Sequence, residues 1–267
     1  MSAVVANGLV RVERDGAVVT LILDDIKKKN AMTEAMGDAV KAAVDAVRAD
    51  GSVRAVVVTG AGSVDDGYAF SGGGDLAMLE RLRGVGFDAA REHMLAFYAR
   101  YLSLLDLEVP TIAAVRGPAI GAGACVACAC DLVVVGKGSK LAFNFVTLGL
   151  HPGMGATCLV PRKVGVQRAH ELLFTGRRID GEEAKAIGLA VAVVDDHDVV
   201  TKAQALATSI AQNAPSAVRA LKRNLAVDRA ELQRALAREA EAQAHSYASP
   251  EMAEGLKAIA EKRAPRF

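Results

Sequence analysis

The N-terminal part of the chain alternates short apolar runs with turn residues and one amphipathic stretch. Residues 9–14 and 17–24 are rich in β-branched side chains and are separated by an Asp-Gly dipeptide, which predicts a β-hairpin. Apolar residues with helical spacing predict a helix over about 33–49, with Thr33 as its N-cap. The nearly continuous apolar run 53–59 predicts a buried strand.

The same alternation of strands and helices continues through the middle of the chain. It predicts helices over 76–83, 88–105 and 124–130, strands over 111–116, 132–135 and 141–145, and a loop over 117–123. Beyond residue 151 the pattern is almost wholly helical, with one strand near 191–194 and helix starts at Asp180, Pro215 and Ser249. Strands that alternate with helices favour right-handed crossovers, and therefore an α/β fold with a mostly parallel sheet.

Two glycine-rich turns, 70–76 and 117–123, each follow a predicted strand and precede a predicted helix. One such turn is most simply a tight connection between two elements. Two turns after neighbouring parallel strands would bring both helix starts to one edge of the sheet, where α/β proteins usually bind ligands. One backbone N–H from each turn could then hold a single oxygen as it gains negative charge, as in an oxyanion hole.

Two nucleotide-binding alternatives fit the glycine-rich turns less well. The segment that begins at Gly121 matches the first two glycines of G-x-G-x-x-G but has Val126 in place of the third. No acidic residue closes a second strand about 20 positions later, as a dinucleotide site would require. The chain also lacks the G-x-x-x-x-G-K-[ST] motif, which excludes a P-loop.

Composition narrows the possible partners. The 267 residues are 52% hydrophobic and 24% charged, which excludes a disordered chain. A net charge of +1, 4% aromatic residues and no Trp make nucleic-acid binding unexpected. The uncharged stretch 117–130 is too short to span a membrane, and no secretory signal is apparent at the N-terminus. We therefore expect a cytoplasmic protein without a metal or a separate cofactor.

At these motifs the sequence resembles the crotonase superfamily, the enoyl-CoA hydratase/isomerase family. The resemblance extends over nearly the whole chain. It is carried by NAM at 30–32, AFSGGGDL at 69–76, PTIAAVRGPAIGAG at 110–123, CDL at 130–132, LGLHPGMGAT at 148–157, LFTGRRIDGEEAKAIGL at 173–189, and the tail from residue 254. It implies a spiral α/β core over 1–200, a C-terminal helical region over 201–267, and assembly into homotrimers, often paired as homohexamers.

The resemblance also implies a substrate, an acyl-CoA thioester whose carbonyl oxygen lies between two backbone N–H groups. By position in the motifs these donors are Gly74 and Ala122. Such donors would stabilise the enolate that forms when the α-carbon loses a proton. The remaining substrate contacts expected by position are Lys29, Asn30, Ala31, Ser71, Gly72, Asp75, Leu76, Gly121, Phe145 and the C-terminal Lys262.

The sequence departs from the family at two catalytic positions. Hydratases of this family use two glutamates, and alignment of the motifs places Cys125 and Phe145 at those positions. Each general acid or base contributes about 10²–10⁴ in rate, so we expect poor hydration of a simple enoyl-CoA. Double-bond isomerisation or thioester hydrolysis is easier to reconcile with this loss, and a non-catalytic acyl-CoA binding protein is the alternative.

Other side chains could supply acid–base chemistry. Cys125 would lie in the first turn of a helix, whose dipole lowers a thiol pKa, although a small buried residue is the simpler interpretation. His151 lies in the segment that lines the active site of the family, while His93 and Glu80 lie on helices that border its acyl pocket. Phe97, Tyr98 and Tyr101 fit the core or the pocket wall, and Asp65-Asp66 fits a solvated turn.

Overall fold

The computed structural model describes residues 4–6, 8–63 and 67–267. Asp65 and Asp66, which were predicted to form a solvated turn, lie outside the described residues. The strands are β1 Val4–Ala6, β2 Val10–Asp15, β3 Val18–Leu23, β4 Ala55–Gly60, β5 Thr111–Val115, β6 Pro118–Ile120, β7 Leu132–Gly136, β8 Lys140–Ala142, β9 Arg178–Asp180 and β10 Ala192–Val194.

Helices account for most of the remaining chain. The α-helices are α1 Glu34–Ala49, α2 Leu76–Leu82, α3 Phe87–Leu102, α4 Ala122–Ala129, α5 Ala156–Val164, α6 Val166–Thr175, α7 Gly181–Ala186, α8 Val199–Ala211, α9 Pro215–Leu225, α10 Arg229–Tyr247 and α11 Pro250–Ala260. Short 3₁₀ segments lie at Ile26–Lys28, Ser103–Asp106, Asn144–Leu148 and Asp196–Asp198.

The larger sheet has seven strands in the order β1-β2-β3-β4-β5-β7-β10. The β2–β3 hairpin is antiparallel, and the pairs from β3 through β4, β5 and β7 to β10 are parallel. The predicted hairpin and the mostly parallel sheet are therefore confirmed. Every residue of β3, β4 and β5 is buried, as expected for strands covered on both faces.

A second, three-stranded sheet has the order β6-β8-β9. The prediction of a loop over 117–123 was wrong for Pro118–Ile120, which pairs in parallel with β8. The strand Arg178–Asp180 was not predicted at all. Both strands have only three residues, too few to show a period of two, and Pro118 is at the first position, where proline is tolerated in a strand.

The chain passes repeatedly between the two sheets. It leaves the larger sheet after β5, adds β6 to the smaller sheet, turns through α4, and returns as β7 before β8 again joins the smaller sheet. This alternation winds the α/β core into a spiral. Helix α4 consequently contacts strands of both sheets, β5 and β7 of the larger and β6 of the smaller.

The predicted helix starts are also confirmed. The side chains of Thr33, Asp180 and Ser249 accept hydrogen bonds from the N–H groups of Met36, Glu183 and Met252, at 3.1, 2.9 and 3.2 Å. Pro215 occupies the first turn of α9. These side chains satisfy amides that have no partner within their own helices.

The C-terminal helices cover two different faces of the core. Val199, Ala203 and Ala207 of α8 pack on one face of the larger sheet, in a small apolar cluster with residues of β4, β5 and β7. On the other face, α10 packs against α3, and Ala240, Ala244 and Tyr247 join the main core. The pairing of α3 with α10 forms one wall of the cavity described next.

Candidate functional site

The two glycine-rich turns lie side by side. Ser71 forms a parallel bridge with Ala119 of β6. In this bridge the Ser71 N–H donates to the Pro118 carbonyl at 3.1 Å, and the Ile120 N–H donates to the Ser71 carbonyl at 3.0 Å. The first turn therefore continues the smaller sheet, and the second turn, residues 117–123, contains β6 and leads into α4.

Close approach of the two turns depends on glycine. Gly73 has φ of +93°, and a Cβ at this position would lie 2.7 Å from the Ile120 carbonyl oxygen. A Cβ at Gly123 would lie 2.7 Å from the Ser71 Cβ. Neither position has room for a side chain, so the glycines allow the two backbones to pack in contact.

The N–H of Gly74 is left without an acceptor by the register of its turn. Gly74 is bridged in parallel to Met32, through bonds from Met32 N–H to the Gly73 carbonyl at 2.8 Å and from Asp75 N–H to the Met32 carbonyl at 3.2 Å. In this parallel bridge the Gly73 carbonyl and the Asp75 N–H form the hydrogen bonds to Met32. The N–H of Gly74 itself takes no part in them. Within the described residues, the Gly74 N–H has no hydrogen-bond acceptor.

In the part of the chain that the structure describes, the N–H of Ala122 also has no acceptor, for a different reason. Ala122 is the first residue of α4, after Gly121, whose φ is +54°. The first amide of the helix to find a backbone partner is that of Cys125, which donates to the Gly121 carbonyl at 3.2 Å. The Ala122 N–H thus belongs to the unpaired donors at the positive end of a helix dipole.

Both amides belong to residues that line one cavity of about 220 Å³. Its outer part includes Leu76 and Ile259, which are 46% and 39% exposed. Its inner part includes Tyr98 of α3 with Gln243 and Tyr247 of α10, each at most 2% exposed. The cavity therefore runs from the surface, past the two glycine turns, to the contact between α3 and α10.

The inner end of the cavity is polar. The Tyr98 hydroxyl donates to Gln243 Oε1 at 2.8 Å, and Gln243 Nε2 donates to the His151 carbonyl at 2.8 Å. The Tyr247 hydroxyl donates to the Met94 sulfur at 3.2 Å. Burial raises the pKa of both tyrosines, so both hydroxyls keep their protons at neutral pH.

Glu239 is a buried carboxylate close to this end. It accepts hydrogen bonds from Gly155 N–H at 2.7 Å, from Thr157 N–H at 2.7 Å and from the Thr157 hydroxyl at 2.6 Å. It therefore satisfies amides at the start of α5, a position where negative charge is favoured. Burial raises its pKa despite these hydrogen bonds.

Several residues expected to contact a substrate form the support of the first turn. Lys29 and Asn30 both adopt left-handed backbone conformations, and the Lys29 carbonyl accepts the Gly72 N–H at 2.8 Å. Asn30 is fully buried, and its Nδ2 donates to the Ala69 carbonyl at 2.8 Å. The Ser71 hydroxyl donates to the Asn30 carbonyl at 2.8 Å. The Lys29 side chain is exposed, and Ala31 is half-buried.

The other expected contacts lie along the cavity or near its opening. Gly72, Leu76, Gly121 and Phe145 line the cavity. The Asp75 carboxylate accepts the Met78 N–H at 2.9 Å and so caps α2. Lys262 is exposed and follows α11, and its N–H donates at 3.1 Å to the carbonyl of Ile259, a lining residue.

Of the two interpretations of Cys125, the structure supports the simpler one, a small buried residue. Cys125 lies in the first turn of α4, but its side chain is fully buried in the main core and does not line the cavity. Burial raises the pKa of its thiol well above the usual value, since desolvation outweighs the helix dipole. The thiol is therefore protonated at neutral pH.

The candidate acids and bases lie outside the cavity lining. His151 is half-buried, and its Nδ1 lies 2.6 Å from the Pro152 carbonyl. His93 Nε2 lies 3.6 Å from Glu34 Oε1, and burial lowers the pKa of His93. Glu80 forms a salt bridge with Arg83 at the surface. Among the described residues that line the cavity, none carries a carboxylate, imidazole, ammonium or thiol group.

The described part of the chain holds no group of three His, Cys, Asp or Glu side chains placed to bind a metal ion. The buried cysteines, Cys125, Cys128, Cys130 and Cys158, are free thiols. Of the aromatic candidates, Phe97 and Tyr98 line the cavity, while the Tyr101 hydroxyl donates to the Thr33 carbonyl at 2.6 Å in the core.

Sequence reasoning missed the contribution of α10 to the cavity. Glu239, Gln243 and Tyr247 follow one another at intervals of four, so they share one face of the helix. The same face carries buried alanines. Polar residues within the apolar face of a helix are a signal that could have identified these positions.

Comparison with known proteins places this geometry in a family. The enoyl-CoA hydratase/isomerase family model matches residues 13–267. A protein of Thermus thermophilus named "Putative enoyl-CoA hydratase" is 37% identical over 260 residues, which cover 97% of this chain and 100% of the relative.

Two solved structures are similar to this chain over nearly its whole length. The structure of Pseudomonas aeruginosa OdaA is 37% identical, with a TM-score of 0.82, and covers 94% of this chain and 98% of its own. The structure of the enoyl-CoA hydratase/isomerase from Pseudoalteromonas atlantica is 29% identical, with a TM-score of 0.84. The match covers 97% of this chain and 99% of that protein.

The fold and its cavity define an α/β spiral of the crotonase type, which confirms the predicted fold class. The chain belongs to the enoyl-CoA hydratase/isomerase family, as the match over 13–267 shows. No helix in the described ranges has the combination of length and apolar composition that a membrane crossing requires.

Proposed function

We propose that this protein binds an acyl-CoA thioester in the cavity, with the thioester oxygen between Gly74 N–H and Ala122 N–H. One observation carries the proposal: two amides that have no acceptor among the described residues, from two separate turns, belong to residues that line the same cavity. Gly74 is half-buried and Ala122 is buried, so each N–H needs a ligand or a water molecule in the cavity to accept its hydrogen bond. A thioester oxygen that becomes an enolate would accept both.

The coenzyme A portion would bind at the outer part of the cavity. Support comes from the exposed cations Lys29, beside the first turn, and Lys262, after α11. Ammonium groups at these two positions would suit the phosphates of coenzyme A. Ala31, Ser71, Gly72, Asp75 and Leu76 complete this proposed contact.

We infer chemistry other than simple hydration. Addition of water across a double bond needs a group that activates the water and a group that protonates the α-carbon. No carboxylate stands among the described lining residues, and Phe145 lines the wall where the family resemblance implies a glutamate. Isomerisation of a double bond or hydrolysis of the thioester is the preferred reaction class. Isomerisation needs only one base, which removes a proton and returns it at another carbon, and hydrolysis passes through an oxyanion and releases a thiolate that need not be protonated as it leaves.

The second candidate function is acyl-CoA binding without turnover. It is favoured by the lack of any group with an ordinary pKa near neutrality on the described cavity wall. Incubation with crotonyl-CoA, 3-hexenoyl-CoA and butanoyl-CoA, followed by chromatography of the products, separates the two functions. Product from any one thioester would eliminate the binding-only candidate.

The substitution Ala122→Pro tests the proposed oxygen site. Proline is well tolerated at the first position of a helix but has no N–H, so α4 should form while one donor is lost. We expect turnover to fall by about 10²–10³, or acyl-CoA affinity to fall if there is no turnover. Ala122→Ser keeps the N–H and should behave like the parent protein. Unchanged kinetics and affinity in Ala122→Pro would refute the proposal.

Assembly into a homotrimer or homohexamer is proposed as well. It is supported by large apolar side chains left at the surface of the described chain, among them Phe174 at 74%, Leu225 at 69% and Phe267 at 66% exposed. Burying such side chains between subunits would remove apolar area from water. Light scattering coupled to size-exclusion chromatography measures the state, and a monomer at micromolar concentration would contradict it.

A further inference from the structure

The inner end of the cavity has hydrogen-bonding capacity that the protein itself does not use. The Gln243 amide carries two N–H hydrogens, and one of them is donated to the His151 carbonyl. In the part of the chain that the structure describes, the other hydrogen has no acceptor. The Tyr247 hydroxyl donates to the sulfur of Met94, which is a weak acceptor. One unused donor, on Gln243, and one donor with only a weak acceptor, on Tyr247, therefore lie at a site that is at most 2% exposed.

These polar atoms border the open space of the cavity. Gly153 lines the cavity, and a Cβ built on it would lie 2.6 Å from Gln243 Nε2 and in collision with the Tyr98 hydroxyl. Gly153 therefore packs closely on these two side chains, and Tyr98, Gln243 and Tyr247 line the cavity together with it. The polar end is thus part of the cavity wall.

A plain hydrocarbon chain would fit this end poorly. It would cover the free donor of Gln243 without offering an acceptor, and a buried unsatisfied donor is unfavourable. A carboxylate would fit poorly too, because no cation is among the described lining residues and the Glu239 carboxylate is near enough to raise the Tyr98 pKa. A neutral oxygen, as in a ketone or a hydroxyl, can accept the hydrogen bonds without a buried charge.

We propose that Gln243 and Tyr247 select acyl-CoA substrates whose acyl chain carries a ketone or hydroxyl oxygen several bonds beyond the thioester. This inference rests on the proposed binding of an acyl-CoA in the cavity, and it names the class of acyl group. The thioester end is held by backbone amides, and the remote oxygen is held by the side chains of α10.

Matched pairs of saturated thioesters test the selection by titration calorimetry with the full-length protein. The pairs are hexanoyl-CoA with 5-oxohexanoyl-CoA, and octanoyl-CoA with 7-oxooctanoyl-CoA. We expect the oxo compound to bind about tenfold more tightly in at least one pair, a difference of about 1.4 kcal/mol. Equal affinities in both pairs, or tighter binding of the plain chains, would overturn the proposal.

Two variants test whether Gln243 and Tyr247 cause the tighter binding of the oxo compound. Gln243→Met keeps the length of the side chain without the amide, and Tyr247→Phe removes one hydroxyl. Each should bring the ratio of the two dissociation constants toward one. Tyr101→Phe is the matched control, because the Tyr101 hydroxyl donates to the Thr33 carbonyl in the core. In this variant the ratio of the two dissociation constants should stay about tenfold. If Gln243→Met does not fold, the ratio in Tyr247→Phe decides alone, and an unchanged ratio would refute the assignment.

The same titrations distinguish a failure of this inference from a failure of the proposed acyl-CoA binding on which it rests. Ala122→Pro should weaken both members of a pair by the same factor, since it acts at the thioester end. If no thioester binds the parent protein, the proposed function fails and this inference fails with it. If the plain and oxo compounds bind equally well, only the selection is wrong.

Discussion

The two walls of the cavity are built from different parts of the polypeptide. One wall consists of two glycine-rich turns, where the candidate functional groups are the N–H groups of Gly74 and Ala122. The opposite wall consists of side chains from α3 and α10, where Tyr98 and Gln243 meet across 145 residues of sequence.

This difference separates two tasks. Backbone amides are positioned by strand bridges and a helix start, so the residues that carry them need no functional side chain of their own. Side chains on facing helices can be exchanged without moving the backbone. We infer that the backbone wall sets the chemistry at the thioester, and that the helical wall sets which acyl group enters.

The largest effect should come from the backbone wall. Gly73→Ala places a Cβ at φ of +93° and 2.7 Å from the Ile120 carbonyl oxygen, so the two turns must separate. We expect acyl-CoA affinity to fall more than about 100-fold, since both proposed donors lose their common geometry. Calorimetry with butanoyl-CoA measures this loss.

Gly86→Ala is the control for that substitution. Gly86 has φ of −68°, and a Cβ there would meet no atom of the described residues within 4 Å. This variant should bind thioesters as the parent protein does. Equal binding by both glycine variants would show that the close contact of the turns is unimportant.

On the helical wall, Gly153→Ala should have a smaller effect. The new Cβ would collide with the Tyr98 hydroxyl and lie 2.6 Å from Gln243 Nε2, and such overpacking costs about 1–3 kcal/mol of stability. Combining it with Tyr98→Phe removes the nearest atom and should recover part of the loss. Urea unfolding of the single and double variants measures both effects, and independent, additive losses would contradict the contact.

Glu239→Gln tests the buried carboxylate behind this wall. One N–H of the Gly155–Thr157 segment would face an amide NH₂ in place of an oxygen, which should cost about 1–3 kcal/mol of unfolding free energy. The raised pKa of Glu239 gives the loss a pH dependence. Burial disfavours the ionised form, so this carboxylate becomes less stabilising as pH rises above its usual pKa of 4.5.

The stability difference between the parent protein and Glu239→Gln should therefore be larger at pH 4 than at pH 8. Urea unfolding at both values measures it. Glu241→Gln, an exposed position of the same helix, should change stability by less than about 0.5 kcal/mol at either pH. A difference that grows with pH would reverse the expected sign.

Cys125→Ala should have the smallest effect on function. The thiol is buried, protonated and absent from the cavity lining, so binding and any turnover should stay within about twofold, with a stability loss of about 1 kcal/mol. Iodoacetamide should leave Cys125 unlabelled in the native protein at pH 8, as mass spectrometry of its peptide can show. A tenfold functional loss or rapid labelling would restore Cys125 as a catalytic candidate.

Local signals predicted most of the fold. The β-hairpin, the buried strands and the capped helix starts depend on neighbouring residues, and the structure agrees with them. The three-residue strands β6 and β9 could not be predicted, because their pairing partners are distant and their own patterns are too short.

For the same reason, the sequence predicted the glycine-rich turns of the candidate site but not the residues of α10. Both glycine turns could be identified because the glycines themselves are visible in the sequence, although the oxyanion role of Gly74 and Ala122 stays a prediction. The sequence favoured a buried Cys125 over a reactive one, and the structure agrees, but the raised pKa of its thiol depends on burial in the whole core and not on α4 alone.

The sequence by itself determined the periodicities, the caps and the two turns, since these arise from interactions within a few residues. Only the tertiary structure decided that the two turns lie in contact, that their free amides belong to one cavity, and that α10 closes the cavity with Gln243 and Tyr247. Those facts depend on packing between segments far apart in the chain, which no local pattern contains.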